Sequence, residues 1–437
     1  MNDIQNNQNL SALISGNSLD KPELTSFPNE RKDAIEFLRK HGFPTKKDEE
    51  WRFTNIRSLT NRTDKSDLPR MTNLEDVDGH GIKLKDAYHL PVPVSGSESP
   101  DLFAEFSQFT GCIVDLFGNG KEQENVKASF SKIILPDKDG FTALNTALFQ
   151  DGLLIMVPDN FSVDKPIHLS MEKPLSGQSA LDNKRLLIRL GKNSECSIIL
   201  SSSGQHVDSF TNSVTEIFLD EGSRLNFNFV QIAGKSENQL TNTGISMESN
   251  SKLEVCCFSL GGRTIRNELT VNLNGEGAEC DIKGLALGKN RSQIDNHTFI
   301  NHIAPNCSSN QVFKEILSDH SHGIFDGLVN VSFDANLTNA NQKNHALLLS
   351  NDAVSNSNPR LQINIDDVKC SHGSTTGQID EDAIFYLRSR GISETNARFM
   401  LIEGFADEIV STISDESLKD TLLQKIGLYL NEITTCE

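Results

Sequence analysis

Between residues 188 and 282 the sequence repeats itself four times, and this repeat limits the fold more than any other feature. Ile188-x-Leu190, Ile217-x-Leu219, Ile245-x-Met247 and Val271-x-Leu273 are each followed by a polar turn drawn from Gly, Asn, Ser, Asp and Glu. Alternation then resumes as Cys196-x-Ile198-x-Leu200, Leu225-x-Phe227-x-Phe229, Leu253-x-Val255-x-Cys257 and Cys280-x-Ile282. The units recur every 29, 28 and 26 residues, and the last turn is one residue longer. Alternation with a period of two gives a strand one buried face. A unit of two short strands cannot bury that face alone, so units of fixed length stack. The pattern predicts a mainly β chain whose core, residues 151–379, is a parallel β-helix (a solenoid). Residues 1–150 form an N-terminal, mostly helical domain with a linker-like segment, and 380–437 a C-terminal helical domain. The rival is a β-sandwich, which turn spacing alone does not exclude.

The flanks carry helical signals. Pro28 to His41 starts with proline, has Glu30 early and Gly42 just after, and places Ile35 and Leu38 on one face. Trp51, the only tryptophan, follows an acidic run and reads as the core anchor of this part. Asp64 to Pro100 is polar and broken by prolines, which reads as a linker. Near the other end, Ser393 caps a helix carrying Met400, Ile402, Phe405, Ile409, Val410 and Ile413. A second, from about Asp415, carries Leu418, Leu422, Ile426 and Leu430. Stripes like these are core. A short helical annex cannot bury every apolar face, however, so it is also a candidate partner surface.

Charge and cysteine usage narrow the function. Sixty acidic and 41 basic residues give a formal net charge of −19, which argues against nucleic acid or an anionic membrane as partner. No stretch approaches roughly 18 uninterrupted apolar residues, and the polar start has no apolar signal core. A cytoplasmic, membrane-free protein is the expectation. The eight cysteines are scattered with no Cys-x-x-Cys, so they read as free thiols, with no self-sufficient cluster site or zinc finger.

One pair of residues carries chemistry. In Asp366-Asp-Val-Lys-Cys-Ser-His-Gly373, an extended stretch places Cys370 and His372 on one side and Ser371 on the other. A thiol and an imidazole together suit iron, zinc or copper. The bland alternative is a packed cysteine beside a hydrogen-bonded surface histidine. Asp380 then caps an acidic first helical turn, and Gly391 stands where that helix ends. His297 and His302, five apart, fall on opposite faces of one strand and read as structural. His320 and His322 share a parity, a better metal spacing, but read as a turn. Gly284 to Lys289 looks like a phosphate loop only superficially, since its glycine spacing is short and Asn290 replaces the required hydroxyl residue.

The run Val368-Lys-Cys-Ser-His-Gly-Ser-Thr-Thr-Gly377, with Phe385-Tyr-Leu-Arg-Ser-Arg-Gly391, resembles the C-terminal signature of the SufB/SufD family, in its SufD branch. Glu49-Glu-Trp-Arg-Phe-Thr-Asn55 and Asn344-His-Ala-Leu-Leu-Leu-Ser350 resemble two further family segments, so the likeness runs from about residue 40 onward. The resemblance implies a right-handed parallel β-helix and a non-enzymatic scaffold subunit of the SUF iron–sulfur cluster assembly machinery. It implies a SufB-like paralogue bound through the end of the β-helix, and a SufC-like ATPase bound through the C-terminal helices. His372, with Cys370, would supply ligands to iron or a nascent cluster held transiently and shared with the partner; a reduced flavin for the complex is left open. A polysaccharide-binding or lyase β-helix is the alternative from another class. It lacks both a secretion signal and a carboxylate cluster on one strand face.

Overall fold

The computed structural model describes residues 26–56, 59, 82, 84–92, 100–117, 121–149, 152–171, 181–204 and 209–434. Its strands form two nine-stranded sheets. In order of pairing, the first sheet holds β1 (Tyr88–Pro91), β4 (Ile167–Ser170), β6 (Glu195–Gly204), β8 (Arg224–Ala233), β10 (Lys252–Gly261), β12 (Glu279–Gly288), β14 (Ser308–Leu317), β16 (Asn339–Leu348) and β18 (Lys369–Gly377). The second holds β2 (Ile113–Leu116), β3 (Gly152–Val157), β5 (Leu181–Leu190), β7 (Phe210–Leu219), β9 (Asn238–Met247), β11 (Thr264–Leu273), β13 (Gln293–His302), β15 (His322–Val331) and β17 (Val354–Ile363). From β5 onward successive strands alternate between the sheets, which makes the chain a parallel solenoid and removes the sandwich from consideration.

The repeat explains the register. Ile188, Ile217, Ile245 and Val271 are successive partners in the second sheet. Cys196, Leu225, Leu253 and Cys280 are successive partners in the first. Their side chains meet in one continuous interior cluster, where each fully buried aliphatic or aromatic side chain contributes about 1.5–3 kcal/mol. The turns stack as well. Asn193, Gly222, Asn250, Gly277 and Asn306 take positive φ on successive coils, a conformation open to Asn and Gly and costly for other residues. The longer turn fits because residue 275 is glycine: a Cβ there would lie 1.9 Å from the Ser249 nitrogen.

The stretch read as a linker is not one throughout. Residues 64–81 lie outside the described residues, but Tyr88–Pro91 is a strand paired with β4, and its Leu90 enters the interior cluster. Prolines confined to the strand's end left that pairing open.

Helices cover the outer faces. On the second sheet lie α1 (Pro28–His41) and α4 (Gly140–Leu148), which share a core with Phe210 and Leu240, and α3 (Gln123–Ser129), whose Val126 packs with Leu154 and Leu187. The remaining helix of this part, α2 (Pro100–Thr110), instead sends Phe103 and Phe106 into the interior cluster. Trp51 is the anchor its sequence context promised, stacked on Phe141 at 5.2 Å and under the Arg266 guanidinium at 3.9 Å. On the first sheet, α6 (Glu394–Val410) and α7 (Glu416–Thr434) bury Ile402, Ile409, Leu418, Leu422 and Leu430 against Val230, Phe258, Leu285 and Ile316. Lys314 fastens this layer by donating to the Phe405 carbonyl at 3.0 Å beside Glu408. No helix among the described residues is long and apolar enough to cross a membrane.

Candidate functional site at the end of the solenoid

β18 and β17 are the last strands of their sheets. Parallel pairing with β16 sets Cys370 opposite Ala340 and His372 opposite Gln342. Ala340 and Gln342 are buried, so the face bearing Cys370 and His372 continues the solenoid interior to its open end. Ser371 points outward, where its hydroxyl donates to Asn341 at 2.9 Å. The same-side placement expected from the spacing therefore holds. Cys370 is half-buried and packs on the interior cluster. Burial pushes its thiol up, with partial relief from a backbone hydrogen bond at Ala340. His372 is exposed.

Chemically, the pair offers an imidazole beside a thiol, and burial works against the deprotonation that a thiolate ligand requires. Among the described residues, no group of three or more His, Cys, Asp or Glu stands close enough to hold a metal ion. The pair supplies two donors where an iron–sulfur cluster takes about four. On β17, Ile363 is 42% exposed, unlike its buried partner Val331 one coil back.

The other histidines separate as their spacing requires. His297 faces outward, 2.7 Å from Asp295, in a buried network in which Arg266 donates to Asp295 and Thr54. Burial would raise the Asp295 carboxyl, but His297 and Arg266 outweigh it and hold it at about 2. His302 faces inward against Ser309 at 2.8 Å, and burial lowers it to about 4. His322 opens β15 between Gln293 and Asn356, while His320 lies in the turn, 3.6 Å from Asp352. Both serve turn and strand hydrogen bonds. Gly284 lies within β12, packed on Phe313, and is no phosphate loop. The described cysteines are all free, and Cys436 lies outside the described residues.

Two features escaped the sequence reading. First, the interior column beneath His372 changes character: Ile198, Phe227, Val255 and Ile282 give way to Gln311 and Gln342. Extending the repeat alignment to Ser309-x-Gln311 and Ala340-x-Gln342 would have found it. Second, the C-terminal apolar residues left uncovered are not the bulk of the long stripes, which is buried. They are Phe385 and Tyr386 on α5 (Glu381–Ser389), 74% and 57% exposed, with single residues on the long helices, Met400 on α6 and Leu428 on α7. Only Ile384 of α5 is buried.

Comparison with known proteins matches residues 174–405 to a family model described as SUF system FeS cluster assembly, SufBD core domain, and 110–169 to the SufBD protein N-terminal region. An iron–sulfur cluster assembly SufBD family protein of Synechocystis is 29% identical over 95% of this chain and 93% of its own length. The iron–sulfur cluster assembly protein SufD of Bacillus subtilis is 26% identical over 86% and 87%. SufD of Escherichia coli is 41% identical over a shorter stretch, 40% of this chain and 41% of its own.

Proposed function

Because the chain belongs to the SufBD family of iron–sulfur cluster assembly proteins, we propose that it is a SufD-like, non-enzymatic scaffold subunit whose solenoid end completes a cluster-building site with a partner. The observation that carries this reading is the Cys370–His372 pair on the interior-facing side of the last strand, where the column of side chains runs out into solvent. Iron and the nascent cluster are the cargo. His372 contributes a nitrogen ligand, Cys370 a sulfur beside it, and a SufB-like paralogue docked on β17 and β18 brings the remaining donors. Iron acquisition belongs to the same seam. ATP hydrolysis comes from a SufC-like subunit seated on Phe385, Tyr386 and Met400, and the complex works in the cytoplasm.

The test is His372→Ala in cells that make the whole complex, followed by purification and assay of bound iron and sulfide. An exposed side chain contributes within about 0.5 kcal/mol to stability, so gel filtration should show an intact complex. Cluster content should fall steeply. Cys370→Ala should cost less, because its half-buried thiol also packs on the interior. Normal cluster content in an intact His372→Ala complex would falsify the ligand role.

A further inference from the structure

Gln342 lies directly beneath His372, one rung back on the same interior face. It is fully buried, and neither its amide oxygen nor its amide nitrogen has a hydrogen-bond partner among the described residues. Gln311, one rung further in, is in the same state. The four preceding positions of this column are Ile198, Phe227, Val255 and Ile282, so an apolar side chain fits here and the amides are not required by packing. Buried amides of this kind find a partner in a native protein. The lumen is shaped to admit this one: at Gly327, on the opposite sheet, a Cβ would lie 2.0 Å from Gln342 Nε2.

An imidazole that binds a metal through one nitrogen carries its proton on the other, and the acceptor facing that N–H fixes both tautomer and ring orientation. On the face shared with His372, the adjacent rung offers Ala340, Gln342 and Asn344. Alanine has no acceptor; Asn344, whose Nδ2 donates to Ser357 at 3.1 Å and whose Oδ1 has no partner among the described residues, stands opposite Ser374, whereas Gln342 stands opposite His372. We propose that Gln342 is the positioning residue for His372: its amide oxygen accepts one ring N–H and turns the other nitrogen toward the end of the solenoid. This rests on His372 being a ligand for its importance, though not for its geometry. Gln311 continues the polar file inward, so that the Gln342 amide nitrogen, a donor, faces a rung that carries an acceptor oxygen rather than a hydrocarbon wall.

The experiment is nitrogen-15 spectroscopy of the full chain with labelled histidine, at a pH high enough that every imidazole is neutral. The His372 signals are identified by their loss in His372→Gln. In the native chain His372 should occupy one tautomer. Gln342→Met, which keeps length but removes the acceptor, should give the mixture of a free imidazole, whereas Gln342→Glu should preserve the single form. Gly327→Ala, which displaces the amide by crowding it, should scramble the tautomer while leaving residue 342 unchanged, and it serves if Gln342→Met does not fold. An unchanged tautomer in both Gln342→Met and Gly327→Ala overturns the proposal, as does a change produced by Asn344→Leu instead. In the assembled complex, Gln342→Met should lower cluster content by about 10- to 100-fold if His372 is a ligand, the usual effect of losing such a partner. Scrambled tautomers with normal cluster content would leave Gln342 as the orienting residue and refute the ligand role of His372 alone.

Discussion

Glu216→Ala tests how the N-terminal segment is fixed to the solenoid. Glu216 and Arg185 are neighbours on the outer face of the second sheet, and both side chains are fully buried. One carboxylate oxygen accepts the backbone N–H groups of Lys132, Ile133 and Ile134, at 2.8, 2.8 and 3.2 Å. The other accepts Ser131 N and Arg185 Nη2, each at 2.8 Å. Burial lowers the Arg185 guanidinium from its usual value, and Glu216 offsets that effect. Alanine therefore strands one buried cation and four backbone donors. Hydrogen bonds to a charged group contribute about 1.5–3 kcal/mol each, but their sum overshoots because water enters the gap. Breaking a buried pair by removing one partner costs about 3–5 kcal/mol. Solenoid stability is a sum over neighbouring coils, so the loss should appear as local opening. At about 1.4 kcal/mol per tenfold change, hydrogen exchange at residues 131–134 should quicken by roughly two to nearly four orders of magnitude. Residues in the last coils should exchange as before. Glu216→Leu combined with Arg185→Met leaves no charge buried but still no acceptor for the four backbone donors, and should recover part of the protection. Less than a tenfold change in the single variant, or a double variant as open as the single one, would refute the reasoning.

Glu315 makes stability depend on pH in the opposite sense to most carboxylates. Burial raises it to about 7, against the hydrogen bond from Ser355, so its contribution is full below its unfolded value near pH ~4.3 and is lost as pH rises through 7. Urea midpoints should show native stability falling by about 3 kcal/mol relative to Glu315→Gln between pH 4 and 8, and parallel profiles would sink this assignment. His302 and His168, both lowered to about 4 chiefly by burial, act oppositely over pH ~4–6.5, but equally in the two chains. For the proposed ATPase surface, Phe385→Asp with Tyr386→Ser should leave the circular dichroism unchanged and abolish ATPase binding; retained binding would move that surface elsewhere. Deleting everything after Gly391 is a poorer test, because it uncovers Phe258, Leu285 and Ile316.

The repeat made the solenoid legible because period-two alternation and a fixed coil length are local properties of the chain. Ile188, Ile217, Ile245 and Val271 could be aligned without knowing what they touch, and they became partners. Cys370 and His372 were legible for the same reason: two residues apart on a strand is one face. What could not be read locally was the environment across coils. Tyr88–Pro91 is short, carries little alternation and becomes a strand only because β4 offers an edge. Met400 follows the helical stripe but is 48% exposed, whereas Ile402, one position along the stripe, is buried. The Gln311–Gln342 column needs the register of three strands before it appears as a column at all.

The two ends of the solenoid differ, and the difference favours docking over simple termination. At its start, β2 runs antiparallel to β3, and Phe103 and Phe106 of α2 close over the interior cluster. At its finish, nothing comparable lies on β17 and β18 among the described residues, although long parallel edges invite further pairing. Pro359 in β17, Lys369, and glycines 373 and 377 in β18 weaken that invitation along the backbone without covering the face. Such an edge resists indiscriminate strand addition yet still presents interior-type side chains: Cys370, His372, Ser374 and Thr376 from one sheet, Leu361 and Ile363 from the other. On the proposed reading, a partner solenoid end meets this surface. The seam then encloses the thiol and imidazole, shuts out bulk water, and supplies the ligands that a single chain's last coil is too narrow to provide.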